Sequence, residues 1–376
     1  MEDEKRCLAA LASIPDIGPL TIKKLLVAFE SAQAVFGAAA AELAATGVGP
    51  KRVNAILRFS DWQGVRRMLE RAEAAGMEVI TIGGRGYPPT LALIPDCPPV
   101  LYVKGEIRKD DKYALGIVGT RKPTYYGLAQ AENLAAGLAK KGFTVVSGLA
   151  RGIDSAAHRG ALKAGGRSIA VMGSGLDVPY PPENAVLMQK LAAGGAVITE
   201  FPPGTAPNKE NFPRRNRIIS ALSLGILVVE AGKGSGSLIT AECALEQGKE
   251  VFSIPGNISS AVSLGTNELI KRGARVVTGL DDIIEELAPV LKGFIAEGKL
   301  QTSCSPAKPL GNPLSSNEKL SPDERLVMGA LGPEPRHIDE VAREIGFDAP
   351  RIMGVLLSLE LKGVIRQSAG KKFFIC

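Results

Sequence analysis

The chain has 376 residues, 45% of them hydrophobic, enough for two or three globular domains and too apolar for a disordered polymer. Aromatics at 5%, with 43 Gly and 25 Pro, fit an α/β core with many tight turns and argue against an all-β protein. The formal charge of +6 and a pI near 9.0 suit a polyanionic partner, because Lys and Arg release condensed counterions from phosphates.

The start, MEDEKRCLAALAS, has no basic segment ahead of a long apolar stretch, and no window of about 18 uninterrupted apolar residues follows. A cytoplasmic location without membrane association is expected. Residues 1–75 read as a small helical domain, with Leu8, Leu11 and Ile14, then Leu25, Leu26 and Phe29, at helical spacing. Within it, IPDIGPLTIKKLL (14–26) and TGVGPKRVNAIL (46–57) each set a Gly-containing turn before a helix with Lys or Arg in its first turns. The pair is similar to tandem helix-hairpin-helix (SAM-like) motifs, whose turns offer backbone N–H groups to phosphate. Plain helix packing explains the pattern equally well.

From 76 to 292 short β-branched runs alternate with amphipathic segments. The predicted strands are 78–82, 114–119, 143–148, 168–173, 196–200, 225–231, 250–256 and 274–278. The Pro-rich stretch 83–105 between the first two reads as an irregular link. The other connections have crossover length, so an extended Rossmann-like, doubly wound parallel sheet is expected. Residues 293–320, rich in Ser, Pro and Asn, read as a linker. Residues 321–376 read as three helices and a hairpin around SAGK, a winged-helix domain. Its second and third helices carry Asp339, Glu340 and Glu344 among few basic residues, so duplex DNA and a protein partner both stay open.

Open α/β sheets bind ligands at the carboxyl ends of their strands. Four such ends carry suitable residues: Gly119, Thr120 and Arg121; Ser147 and Gly148, followed by Asp154 as a helix cap; the incomplete GxG of VMGSG (171–175); and Ser235, Gly236 and Ser237, which open a helix as an anion-binding nest would. GxGxxG and GxxxxGK[ST] are both absent, which disfavours NAD and ATP, and no cofactor is expected. The densest basic cluster is NKENFPRRNRIIS (208–220), where Lys209, Arg214, Arg215 and Arg217 surround Phe212 and Asn216. Cations beside a stacking ring suit single-stranded nucleic acid, whose splayed bases a duplex does not offer. The alternative is a core Phe212 with arginines paired to Glu200, Glu210 or Glu230. Five widely spaced cysteines (Cys7, Cys97, Cys243, Cys304, Cys376) and two histidines (His158, His337) leave little material for a disulfide framework, a metal site or His-based catalysis.

GTRKPTYYG, SGLARGIDSAAH, GSGLDVPYPPEN, FPRRNRIIS, SGSLITAE, IPGN and GTNELIKRGA stand in the order found in the DNA-processing protein A (DprA/Smf) family, which the chain resembles over nearly its whole length. SALS at 220–223 departs from the more usual SGLS. The resemblance implies a non-enzymatic, homodimeric protein that binds single-stranded DNA, protects incoming strands and loads the recombinase RecA in natural transformation or recombination. Carried over residue by residue, it points to Arg121, Lys209, Phe212, Arg214 and Arg217 as DNA contacts, with Lys249 beside them. Pairing of two protomers through the later part of the Rossmann-like domain is expected. The rival reading is a hydrolase of the nucleoside-monophosphate glycosidic bond on a similar core, with Glu200 or Glu230 as acid or base. A protein-binding adaptor is a third.

Overall fold

The structure, a computed structural model, describes residues 2–291, 321–331, 336–361, 364–368 and 372–375. The expected linker, Cys304, Cys376 and residues 369–371 of the SAGK turn lie outside the described residues. Two compact units emerge, Met1–Ser303 and Cys304–Cys376.

The first unit opens with helices α1 (Glu2–Ser13), α2 (Pro19–Phe29), α3 (Ala32–Gly37), α4 (Ala40–Ala45), α5 (Pro50–Leu57) and α6 (Trp62–Ala74). Pro19 and Pro50 each occupy a first helical turn behind a glycine N-cap, where a missing N–H costs nothing. The two turns meet: Lys51 Nζ lies 2.5 Å from Asp16 Oδ2, and Arg52 Nε donates to the Asp16 carbonyl at 2.9 Å. Lys23 ties α2 to the following segment by donating to the carbonyls of Ala92 (3.1 Å) and Ile94 (2.8 Å). Leu8, Leu11, Ile22, Leu25 and Ile56 share a core with Val100, Met172 and Val197 of the sheet region.

Among the described residues the main sheet has nine strands: β1 (Glu78–Thr81), β2 (Val100–Gly105), β3 (Ala114–Val118), β4 (Thr144–Ser147), β5 (Ser168–Val171), β6 (Ala196–Thr199), β7 (Gly225–Val228), β8 (Glu250–Ser253) and β9 (Arg275–Val276). Their order is β1-β2-β6-β5-β4-β3-β7-β8-β9. From β6 to β9 every pairing is parallel. Strands β3 to β7 are buried along their whole length, as befits strands covered on both faces.

The first correction to the sequence reading is β2. It lies inside the stretch taken as an irregular link and runs antiparallel to both β1 and β6. The sheet is therefore mostly rather than wholly parallel. The prolines of 88–99 masked the strand because they end where pairing begins, and short α7 (Pro89–Ala92) fills the link.

Helices α8 (Tyr125–Lys140), α9 (Ile153–Lys163), α10 (Ala185–Gly194), α11 (Asn211–Ala221), α12 (Gly236–Glu246), α13 (Leu264–Lys271) and α14 (Leu280–Leu287) follow, most of them crossovers. The chain winds outward from β3 to β6, then returns through α11 to β7 on the other side of β3. That reversal opens a crevice beyond the carboxyl ends of β3 and β7. Among the described residues no helix is long and apolar enough to cross a membrane.

The second unit has α15 (Pro322–Ala330), α16 (Ile338–Ile345) and α17 (Ala349–Leu361), with β10 (Arg336–His337), β11 (Ile365–Ser368) and β12 (Lys372–Ile375) in the order β10-β12-β11. This is the expected winged helix. Ser321 and Glu324 form a reciprocal cap on α15, and Val327, Val341, Leu356 and Ile365 fill the core.

His158, on α9, is fully buried. Ser168 Oγ spends its proton on the Val145 carbonyl (2.7 Å), so His158 Nδ1 is the donor in its 2.7 Å contact with Ser168, and Nε2 faces the core without a partner. Burial, reinforced by Arg215 and Arg159, pushes its pKa down to about 3. A base whose folded pKa lies below the unfolded value of about 6.5 withdraws stability as pH falls from 6.5 toward 3. Wild type should thus lose about 2–3 kcal/mol more than His158→Leu between about pH 7.5 and about pH 4.5, read from urea midpoints.

Candidate nucleic-acid interface

The crevice at the strand reversal has a volume of about 580 Å³. Its β3 side is Gly119, Thr120 and Arg121. Thr120 N donates to the Glu230 carbonyl at 2.7 Å, stitching the loop after β3 to the end of β7. A Cβ on Gly119 would stand 2.6 Å from Ile153 and 2.9 Å from the Glu230 carbonyl, so this close approach requires glycine.

The opposite wall is the first turn of α12. Ser235 caps it by accepting from Ser237 N at 3.4 Å, with the two hydroxyls 2.8 Å apart. Asn216, on α11, reaches across to the Gly236 carbonyl at 3.2 Å. Phe212 forms the floor, half-buried against the end of β5, where a Cβ on Gly173 would lie 2.9 Å from its ring. The exposed Arg121 guanidinium stands 5.2 Å from the Phe212 centroid, and Tyr180 packs on the same ring at 5.6 Å.

Arg215 is the buried anchor of this arrangement. Its Nη1 donates to the carbonyls of Gly148 (2.6 Å) and Val171, and its Nε to Asn216 Oδ1 (3.2 Å). Asp154 Oδ2 accepts from the N–H groups of Gly148 (3.1 Å) and Ala150 (3.4 Å), so it fastens the loop before α9 instead of capping that helix from outside. Burial raises the Asp154 pKa and lowers that of Arg215 to about 10, each against the other's attraction; Arg215 remains a cation at neutral pH. Against four lining cations, Arg121, Lys122, Arg215 and Lys233, the crevice has one carboxylate, Asp154.

Of the expected contacts, the crevice gathers Gly119, Thr120, Arg121, Phe212, Asn216, Ser235, Gly236 and Ser237. Gly148 borders an adjoining recess with Arg121 and Phe212. Ser147 is buried and donates to the Ile117 carbonyl at 2.6 Å. Lys209 is exposed on the turn leading into α11. Lys249 is half-buried immediately before β8, at the amino end of that strand and so across the sheet from the crevice. Arg217 is 9% exposed, paired with Glu200 at 2.7 Å and with Asp96 at 3.1 Å. Arg214, more exposed, sits 3.4 Å from Glu200 and over Phe201. Both line a separate cleft of about 900 Å³ bordered by the turn between α1 and α2. The alternative pairing with Glu200 thus describes these two arginines, while Arg121 and Phe212 keep the crevice.

Lys122, Lys233 and Tyr180 were missed. Lys122 and Lys233 lie in the loops after β3 and β7 and Tyr180 lies nine residues beyond β5, all outside the dense basic cluster at 208–220. The two carboxylates of the hydrolase reading lie outside the crevice lining. Glu230 accepts from Thr124 N (2.9 Å) and Thr124 Oγ1 (2.5 Å) at the start of α8, and Glu200, its pKa raised by burial, faces the arginines. In the winged helix Arg336 pairs with Glu344 and Arg351 with Asp323.

The family model described as DNA recombination-mediator protein A matches residues 78–288, and the DprA winged helix domain matches 312–371. Protein Smf of Synechocystis sp. is 33% identical, with 97% of each chain covered. Protein Smf of Escherichia coli is 42% identical over 76% of this chain and 74% of its own. DNA processing protein DprA of Bacillus subtilis is 44% identical over 59% and 75%. Among solved structures, DprA from Streptococcus pneumoniae superposes with a TM-score of 0.64 at 34% identity, covering 74% of this chain and 95% of that one. The structure concerned with the single-stranded DNA binding mode of DNA processing protein A from Helicobacter pylori gives 0.52 at 30% identity, covering 57% and 96%.

The geometry separates anchors from exposed cations. Arg217→Met should cost about 3–5 kcal/mol by stranding buried Glu200. Gly148→Ala should cost about 1–3 kcal/mol, because its Cβ would collide with the Arg215 guanidinium. Arg121→Ala should stay within about 0.5 kcal/mol of wild type. Urea denaturation at neutral pH checks all three.

Proposed function

This chain belongs to the DNA recombination-mediator protein A family, and on that premise we propose that it is a cytoplasmic, non-enzymatic protein that binds single-stranded DNA in the crevice between β3 and β7. The observation that carries the reading is the exposed Arg121 guanidinium 5.2 Å above the half-buried Phe212 ring, in a crevice with three further cations and one carboxylate. A splayed base stacks on Phe212 while Arg121, Lys122 and Lys233 take phosphate oxygens, with Lys209 adding charge from the turn before α11. Duplex DNA keeps its bases stacked and gains only the phosphate contacts. Ser235, Gly236 and Ser237 add donors at the start of α12.

A hydrolase would need a carboxylate aimed at the ribose. Asp154, the one lining the crevice, spends Oδ2 on two backbone N–H groups, which favours binding over catalysis. In the cell the bound strand is protected and handed to RecA, as the family resemblance implies. Two protomers pair through the later part of the Rossmann-like domain, where α12 exposes Ile239 and Leu245; light scattering that finds only monomer at micromolar concentration would remove this element.

The central test is fluorescence anisotropy of labelled poly-dT and a matched duplex across a salt series. Wild type should prefer the single strand by at least about tenfold. The Arg121→Glu, Lys209→Glu double variant should bind it at least about tenfold more weakly and flatten the salt slope by about one to two. Equal affinity for both forms, or an unchanged double variant, would refute the reading.

A further inference from the structure

The loops after β3 and β7 border a second groove as well. It has a volume of about 600 Å³, and its lining includes Thr124, Tyr126, Glu230, Asn257 and Ser260. Only Lys122 and Pro123 separate Arg121, in the first crevice, from Thr124 in the second. Two aromatic rings stand in the first turn of α8: Tyr126, which lines the groove and is 52% exposed, and Tyr125, which is 93% exposed. Among the described residues neither ring packs on another ring or a cation.

The groove's chemistry differs from that of the crevice. Its one carboxylate, Glu230, has both oxygens engaged by Thr124 and lies at the positive end of α8, so its charge is largely spent. With a carboxylate and no cation in its lining, the groove suits the face of a base better than a phosphate. Asn257 uses its Oδ1 on Ser259, and among the described residues its amide N–H groups have no partner, leaving two donors for a base edge. Lys122, which lines the first crevice, lies between Arg121 and Thr124 in the chain.

We propose that this groove is a second base subsite on the path of the strand: past Lys122, the next nucleotides stack on Tyr126 and Tyr125 and meet the Asn257 amide. The inference rests on the single-strand reading above. Continuity with the first crevice favours nucleic acid over a peptide, although Ile258, 87% exposed, stands on the same lip.

The experiment compares the full chain with a Tyr125→Ala, Tyr126→Ala variant and a Tyr125→Phe, Tyr126→Phe variant, on dT oligomers of about six and about twenty nucleotides. The alanine pair should bind the short oligomer within about twofold of wild type but the long one at least about fivefold more weakly, and the phenylalanine pair should restore the long one. Oligomers carrying 5-iodouracil should photocrosslink to the peptide bearing Tyr125 and Tyr126 in addition to that bearing Phe212. Unchanged affinity for the long oligomer, or crosslinks confined to Phe212, overturns the subsite and leaves the groove to a partner of another class. If wild type itself shows no single-strand preference, the underlying reading falls and this one with it; if Arg121→Glu abolishes binding while the tyrosine variants do not, only the subsite falls.

Discussion

A single buried guanidinium joins the helix that carries Phe212 to the ends of two strands. Arg215 reaches from α11 to the carbonyls of Gly148 and Val171, beyond β4 and at the end of β5, and braces Asn216 on the way. Because α11 is also the segment that carries the chain back across the sheet to β7, this contact fixes where Phe212 sits relative to Arg121. The neighbouring Asp154 holds the same loop from the other side by accepting from its backbone. A buried cation is costly to desolvate, and breaking such a contact leaves polar groups stranded, so this position tolerates little change. The exposed cations of the crevice are thereby mounted on a frame whose own charges are buried.

The division of labour within PRRNR follows from helical periodicity. Arg214 and Arg217 lie three residues apart and share one face of α11, toward Glu200 and the cleft near the α1–α2 turn; Arg215 faces the strand ends and Asn216 the start of α12. A cluster of like charges in sequence thus becomes two environments in space. Counting cations indicates affinity for a polyanion, but it does not say which of them meet one.

Much of the architecture was legible because parallel strands covered on both faces must be written as near-continuous runs of small and apolar residues with few charges, as ALGIV and TVVS are. The residues at the ends of β3 and β7 were legible for a related reason: tight backbone approach selects glycine, and Gly119 has no room for a Cβ. Strand β2 was hidden because VLYVKG follows a proline-rich link and pairs antiparallel, with no crossover helix to announce it. Ser147 and Lys249 were misjudged for opposite reasons. The Ser147 hydroxyl is consumed by the neighbouring strand, while Lys249 begins a strand whose far end, not its near one, faces the crevice. Neither fact is encoded in local pattern; both depend on which strand lies alongside and which way it runs.

The antiparallel addition of β2 and β1 also bears on how copies of the chain can meet. The outermost strands are short, four residues in β1 and two in β9, and β1 is flanked by α1 and α6. Neither rim offers the long row of unpaired N–H and C=O groups on which another chain could continue the sheet. Self-association by sheet extension, the route that leads to open-ended polymers, is therefore blunted at both ends. The proposed pairing of protomers would instead use helical surfaces of the first unit, where association closes after a fixed number of subunits.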